Sequence, residues 1–136
     1  MLGGDKVDFK LKHIYAGLCS FGATIFGGMD TMLAILLMFI VLDFASGIVC
    51  AWAEKKVSSK VFYVGGIKKL GILVIIAVAA QLDHIIGSNT AILRTAAITY
   101  YIANEGFSIL ENWGNLGLPL PKAIKNALVS INKDDE

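Results

Sequence analysis

The feature that most constrains the fold is an apolar run of twenty-two residues, 31–52, which is interrupted by one acid, Asp43, near its midpoint. As a helix with a rise of about 1.5 Å per residue, the run covers roughly 30 Å, the thickness of the hydrocarbon core of a bilayer. A carboxylate at that depth costs roughly 2.5–3.5 kcal/mol on insertion scales, so such a group faces protein or water. The run therefore predicts a membrane protein that keeps polar groups inside the bilayer.

Composition supports a membrane protein and argues against other classes. Hydrophobic residues make up 56% of the 136-residue chain and the mean hydropathy is +0.68, which exceeds what a soluble core of this size hides. The length allows one domain. A net charge of +1 argues against a nucleic-acid binder. Cys19 and Cys50 lack zinc or redox spacing. With no catalytic array evident, we expect no enzyme, no metal and no cofactor.

Three further apolar runs predict more membrane helices. Residues 70–86 and 91–110 form two long runs, and the polar turn 87–89 between them predicts an antiparallel hairpin. Residues 13–28 are glycine-rich and reach roughly 24 Å as a helix, which suits a short span or a helix along the interface. The expected fold is all-α and polytopic. It has three transmembrane helices (31–52, 70–86 and 91–110) and a shorter N-terminal membrane helix.

The lysines favour one orientation in the membrane. All eleven fall into three groups, before residue 13, between residues 53 and 69, and after residue 121. Four spans put the three groups on one side, which the positive-inside rule makes cytoplasmic. We therefore expect both termini, the loop 53–69 and the tail 111–136 in the bacterial cytoplasm. The tail is predicted to contain a short amphipathic helix, whose apolar face comprises Ile124, Ala127, Leu128 and Ile131.

Polar residues line one face of the last predicted span, at the 3.6-residue period of a helix. Lipid would penalise each of them, so this face must turn towards other helices or an aqueous lumen. Interhelical hydrogen bonding explains such a stripe, and so does a lumen lining or a self-association surface; one stripe can serve both. The stripe, together with the acid and a nearby glycine of the first long span, comprises Asp43, Gly47, Arg94, Tyr101, Asn104, Glu105, Ser108, Glu111 and Asn112.

Two contacts are expected for the buried acids. Asp43 lies at a depth similar to that of Tyr101 and Asn104, so either residue is a candidate partner. Asp83 and Arg94 flank the turn of the predicted hairpin, and we expect an ion pair between them at the outer end.

At the inner end, Glu54 and Glu111 are the acids available to neutralise Lys68 and Lys69, with the lysine side chains reaching up to the interface. The predicted cytoplasmic basic loop comprises Lys55, Lys56, Lys60, Lys68 and Lys69. A basic loop of this kind suits anionic lipid headgroups.

Ordered motifs extend along about three quarters of the chain, from Asp30 to Leu128. The longest is YIANEGFSILEN at 101–112, which is followed by GLPLP at 117–121. Shorter motifs precede these, at 41–47, 54–60, 65–69, 82–83 and 93–95. In this order and spacing, the motifs resemble the phage lysis and toxin-secretion holin family of Gram-positive bacteria and their phages.

The resemblance implies a protein that accumulates in the bacterial cytoplasmic membrane, forms homo-oligomers and opens lesions at a set time. An endolysin, or a large toxin, then leaves the cell as released cargo, without a requirement for direct binding. The partners implied are other copies of the chain and membrane lipids, and not nucleic acid.

Two rival functions fit the same gross features. A small four-helix proton-coupled exporter would use Asp43 as its coupling acid, although such exporters favour weak lysine bias and carry the acid in their first helix. A passive membrane adaptor would dock a soluble partner on the basic loop and the C-terminal helix.

Overall fold

The computed structural model describes residues 4–87 and 89–133, and every regular element in those ranges is an α-helix. The all-α prediction is therefore confirmed for this part of the chain. Ser88 of the predicted turn and the acidic end 134–136 of the predicted tail lie outside the described residues, as do the side chains of Leu128 and Ile131. The helices are α1 (Gly4–Phe26), α2 (Thr31–Ala53), α3 (Ser59–Ile86), α4 (Ile92–Asn115) and α5 (Lys122–Lys133).

Helix α4 is the centre of the bundle. It packs against α2, α3 and α5, whereas α1 packs against α3. α2 and α3 contact each other less than either contacts α4. The buried core between the three central helices consists of Leu33, Leu36, Ile72, Ile76 and Ile98. Most other apolar side chains of these helices face outward, as expected where lipid rather than protein covers the surface.

Two helical segments are long and apolar enough to cross a membrane: α2, and residues 62–86 of α3. They coincide with the first two long runs of the sequence. Helices α1 and α4 would reach roughly 34 Å and 36 Å at 1.5 Å per residue. Their polar residues reduce their hydropathy, so α1 and α4 are long enough to cross a membrane but less apolar than α2 and α3.

Helix α3 begins well before the predicted span. It starts at Ser59 rather than at residue 70, so the predicted loop 53–69 is shortened, and Gly65 and Gly66 do not break the helix. Glycine costs about 1 kcal/mol relative to alanine in a helix, and packing offsets that cost here. The Phe62 ring packs edge-on against Phe44 of α2, with centroids 6.4 Å apart. A Cβ at Gly65 would lie 3.8 Å from the same Phe44 ring.

Helix α1 also extends further than the predicted run 13–28, since it begins at Gly4. Its connection to α2 turns at Gly27 and Gly28, which have φ values of 69° and 125°. A Cβ at Gly27 would lie 3.2 Å from both the Cβ of Ala80 and the Cδ of Arg94. Glycine is needed there for conformation and for space.

Helix α4 ends in a Schellman motif. The N–H of Leu118 donates to the carbonyl of Trp113 at 3.2 Å, and the N–H of Gly117 donates to the carbonyl of Gly114 at 2.9 Å. Gly117 has the positive φ, 82°, that this cap requires. The prolines that follow prevent the helix from continuing, and α5 packs against α4.

Candidate functional site

Five polar side chains from three helices meet between α2, α3 and α4. We call this group the lysine cluster; it comprises Asp43, Ser46, Lys69, Glu105 and Asn112. The Nζ of Lys69 lies 2.5 Å from Oδ2 of Asp43 and forms a second ion pair with Oε2 of Glu105. One ammonium group therefore joins all three helices, because each carries one member of the triad.

Asn112 and Ser46 complete the hydrogen bonding of the lysine cluster. Nδ2 of Asn112 donates to Oγ of Ser46 at 2.9 Å and to Oδ1 of Asp43 at 3.3 Å. The Ser46 hydroxyl donates to the backbone carbonyl of Asp43 at 3.0 Å. A Cβ at Gly47 would lie 3.6 Å from the Asn112 amide, so the small residue leaves room for that side chain.

The two acids and Ser46 of the lysine cluster are buried, whereas Lys69 and Asn112 are partly buried. Glu105 is 2% exposed and Asp43 is 8% exposed, while the Lys69 side chain is 18% exposed. Removing such charges from water costs several kcal/mol per ion unless partners compensate. Among the side chains that the structure describes, no fully buried nitrogen or oxygen lacks a hydrogen-bond partner. Two carboxylates facing one buried ammonium make this a three-helix junction that depends on its lysine.

The lysine cluster opens into a cleft of about 540 Å³ between α2, α3 and α4. Its walls combine apolar and aromatic side chains, such as Phe44, Phe62 and Ile72, with polar groups from α4. Of the predicted stripe, the cleft is lined by Asp43, Gly47, Tyr101, Asn104, Glu105, Ser108 and Asn112. A polar wall beside buried ion pairs can be wetted without exposing new apolar surface on that side.

A second group of charges ties the opposite end of the bundle together. We call it the arginine cluster; it comprises Arg94, Asp30, Asp83 and the carbonyls of Phe26 and Gly28. Nη1 of Arg94 lies 2.6 Å from Oδ2 of Asp30. Nη2 donates to the Gly28 carbonyl at 2.9 Å, and Nε donates to the Phe26 carbonyl. Arg94 is 4% exposed, so its guanidinium group serves as a buried link from α4 to the α1–α2 connection.

Asp30 has two roles at this end. Its Oδ1 accepts from the N–H of Leu33 at 2.9 Å, which caps the first turn of α2. Its hydrogen bond with Arg94 lowers the pKa of the Asp30 carboxyl below the ordinary value of 3.8. Because the pKa of Asp30 is lower in the folded protein than in the unfolded chain, this interaction stabilises the fold at pH values above the unfolded pKa. The stabilisation is lost as the pH falls through the folded pKa and Asp30 is protonated.

The predicted ion pair between the side chains of Asp83 and Arg94 is wrong, because the Asp83 carboxylate binds backbone N–H groups instead. Its Oδ1 accepts from the N–H of Leu93 at 3.1 Å, and its Oδ2 accepts from the N–H of Arg94 at 2.8 Å. The N-cap residue of α4, Ala91, has a positive φ and no side-chain cap. Asp83 supplies that cap from the end of α3, which leaves the Arg94 side chain free to bind Asp30.

We expect that Asp83→Ala lowers the free energy of unfolding by about 1–2 kcal/mol, since two N–H groups at the start of α4 lose their acceptor. Denaturant unfolding of the purified protein in detergent, followed by circular dichroism, measures this change. His84→Ala, at the exposed neighbouring position, is the control and should unfold like the parent protein. Equal stability of Asp83→Ala and the parent would contradict the capping role.

The remaining stripe residues are only partly brought together. Tyr101 is half-buried and packs against the core, with its ring edge-on to Tyr100 at 5.1 Å. Ser108 is half-buried, whereas Asn104 and Glu111 are exposed in the single chain. Neither candidate partner of Asp43 binds it; Lys69 and Asn112 occupy that position because they approach from the two neighbouring helices.

The predicted basic loop divides into two environments. Lys55, Lys56, Lys60 and Lys68 are exposed, and Lys56 pairs with Glu54 at 2.9 Å. Lys69 does not belong to the exposed loop, because it pairs with Asp43 and Glu105. The prediction that Glu54 or Glu111 would neutralise it is therefore wrong. Since α3 is already helical from Ser59, the Lys69 side chain points into the bundle rather than towards the interface.

Sequence reasoning assigned Lys69 to the basic loop rather than to the buried polar site, and it did not name Asp30 as a site residue. The apolar residues before Lys68, at 61–64, were the signal that the helix starts early and carries Lys69 inside it. Asp30 directly precedes an apolar helical run, which is the usual position of an N-cap acid. Arg94 and Asp30 are far apart along the chain, and no sequence pattern indicated that they pair.

Comparisons with known proteins agree with the motifs. The profile of the bacteriophage holin family matches residues 20–133. An uncharacterized 14.9 kDa protein of Clostridium perfringens is 39% identical over 125 residues, covering 90% of this chain and 95% of its own. An uncharacterized protein of Listeria innocua is 38% identical over 116 residues, covering 83% and 82% of the two chains.

A protein of Bacillus phage phi105, named as a probable holin, is 32% identical over 104 residues and 76% of both chains. No solved structure matches the chain significantly. The family match and the two apolar helices together indicate an integral membrane protein. From the profile match over most of its length, the chain belongs to the bacteriophage holin family.

Proposed function

We propose that this protein is a holin: it oligomerises in the bacterial cytoplasmic membrane and opens lesions at a timed point, through which an endolysin or a large toxin leaves the cell. Family membership supports the general function. The observation that carries the mechanism is the lysine cluster, in which Lys69 bridges Asp43 and Glu105 beside a cleft with mixed apolar and polar walls.

The proposed topology has four membrane helices, α1 to α4, with both termini in the cytoplasm. The described chain supports it through its charge distribution. The end where α2 finishes and α3 begins carries exposed lysines, Lys55, Lys56, Lys60 and Lys68. The opposite end carries the arginine cluster, whose only cation is bound within the protein. The positive-inside rule then places the lysine-rich end in the cytoplasm.

In the closed protomer, the ion pairs of the lysine cluster are satisfied within one chain. Asn104 remains exposed on α4 within the proposed span, and Glu111 remains exposed near the cytoplasmic end of the same helix. An exposed amide at bilayer depth favours contact with another protomer over contact with lipid. As protomers accumulate, the polar faces of α4 meet. The ion pairs then re-form between chains around water, and the cleft walls become part of a lumen.

The direct test is induced expression in a bacterium, with and without a cytoplasmic endolysin. We expect sudden growth arrest after a delay in both strains, and release of a cytoplasmic reporter enzyme with lysis only where endolysin is present. Asp43→Leu and Glu105→Leu should still insert, since each leaves one carboxylate paired with Lys69. Both should fail to trigger timed lysis, since one of the two ion pairs that re-form between chains is missing. Normal lysis timing in both variants would contradict the mechanism. Absence of lesions in the parent would contradict the function.

The exporter alternative gains no support from the geometry. A coupling carboxylate must exchange protons with water on each side in turn, whereas Asp43 is held by Lys69 and Asn112. Proton flux stimulated by lipophilic cations, without growth arrest on overexpression, would favour that alternative.

A further inference from the structure

The segment that follows α4 presents apolar and basic side chains to the outside together. We call it the α5 surface; it comprises Trp113, Leu118, Leu120, Lys122, Ile124 and Lys125. Its apolar members are between 37% and 51% exposed, although α5 packs against α4. Exposed apolar side chains occur in the last turn of α4, in the connection that follows it and in the first turn of α5.

The length of α5 excludes a membrane span. Twelve residues reach roughly 18 Å as a helix, well short of the hydrocarbon core. Lysines stand at its start and its end, and no acid lies within it. A short helix with one apolar face and a basic polar face lies in the plane of a membrane interface.

The neighbouring surface has the same sign of charge. α2 ends, α3 begins and α4 ends at one end of the bundle, where Lys55, Lys60 and Lys68 are exposed, and α5 packs on α4. Glu54 is already paired with Lys56. Even with the exposed acid Glu111 of α4 counted, the exposed lysines outnumber the acids at this end of the bundle. The excess of positive charge is complementary to phosphate-bearing anionic headgroups.

We infer that the α5 surface is an interfacial site for anionic phospholipid: Trp113, Leu118, Leu120 and Ile124 enter the headgroup boundary, and Lys122 and Lys125 bind lipid phosphates. Trp113 fits this placement, since tryptophan is enriched at the membrane–water boundary. A Cβ added at Gly114 would lie 3.3 Å from Cδ1 of Leu120, so the turn is packed tightly onto α4. This holds α5 at a fixed depth.

The test uses the full-length protein in bilayer discs made of phosphatidylcholine alone or of phosphatidylcholine with phosphatidylglycerol. Hydrogen exchange of the α5 amides reports how often α5 leaves the bilayer surface. We expect strong protection in the anionic discs. We also expect a roughly twenty-five-fold loss of protection in Lys122→Gln/Lys125→Gln, at about fivefold for each lysine. Lys10→Gln/Lys12→Gln in α1 is the matched control and should leave α5 protection unchanged.

Equal protection of α5 in neutral and anionic discs would overturn the inference, and so would equal loss in the two double variants. Protection that rises with protein concentration in neutral discs would assign the surface to another copy of the chain instead. The measurement involves no lysis, so its outcome is independent of the proposed lesion-forming function.

Discussion

Lys69→Met is expected to lower the free energy of unfolding by about 3–5 kcal/mol, because it leaves two buried carboxylates without their shared cation. Glu105 is 2% exposed and Asp43 is 8% exposed, so neither can regain full hydration. The variant should be present in membranes at much lower levels than the parent protein. Unfolding of detergent-solubilised protein, together with membrane abundance after a fixed induction time, measures both effects.

Lys68→Met is the matched control for this change. It removes the same charge from the adjacent residue, which is exposed on the rim of the cleft, and should change stability by less than about 1 kcal/mol. Adding Asp43→Asn and Glu105→Gln to Lys69→Met should restore part of the loss, since the remaining groups are neutral and can hydrogen-bond to each other. Equal effects of the two lysine substitutions would show that Lys69 is not the centre of the junction.

The lysine cluster should respond asymmetrically to charge removal. Asp43→Asn leaves a single ion pair between Lys69 and Glu105, and the new amide still reaches Asn112. This variant should therefore be much closer to the parent in stability than Lys69→Met. The same asymmetry explains why the carboxylates, rather than the lysine, are the positions at which lesion formation can be tested without losing the protein.

Arg94→Met is the second substitution with a large expected effect. It removes a buried cation that binds Asp30 and two backbone carbonyls, and the carbonyls of Phe26 and Gly28 lose their donor. We expect a loss of about 2–4 kcal/mol. The connection between α1 and α2 should also loosen, which limited proteolysis near Gly27 and hydrogen exchange at the end of α1 would detect.

Arg94→Lys separates charge from geometry at this position. A lysine keeps the charge opposite Asp30 but has no planar fork to reach both carbonyls. We expect stability between that of Arg94→Met and that of the parent, with increased cleavage near Gly27. Should Arg94→Met retain the parent's cleavage pattern and stability, the arginine cluster would not hold α1 to the bundle.

The sequence was sufficient for the helical class, the two apolar segments and the family. Long apolar runs and an ordered set of motifs carry that information locally. The site was predictable only as a list of polar residues at membrane depth. Its pairings depend on how the helices rotate and pack against one another, which local pattern does not determine. Lys69 and Asp83 show this, since each binds a group that no spacing rule connects to it.

The placement of one cation between two acids also has a consequence for how the chain enters the membrane. If the helices insert in chain order, Asp43 arrives first, Lys69 neutralises it in the next segment, and Glu105 arrives last. The α2–α3 hairpin is therefore electrically balanced by itself. In that order Lys69 is already in the membrane when Glu105 enters it, so the two carboxylates are not in lipid together without a cation.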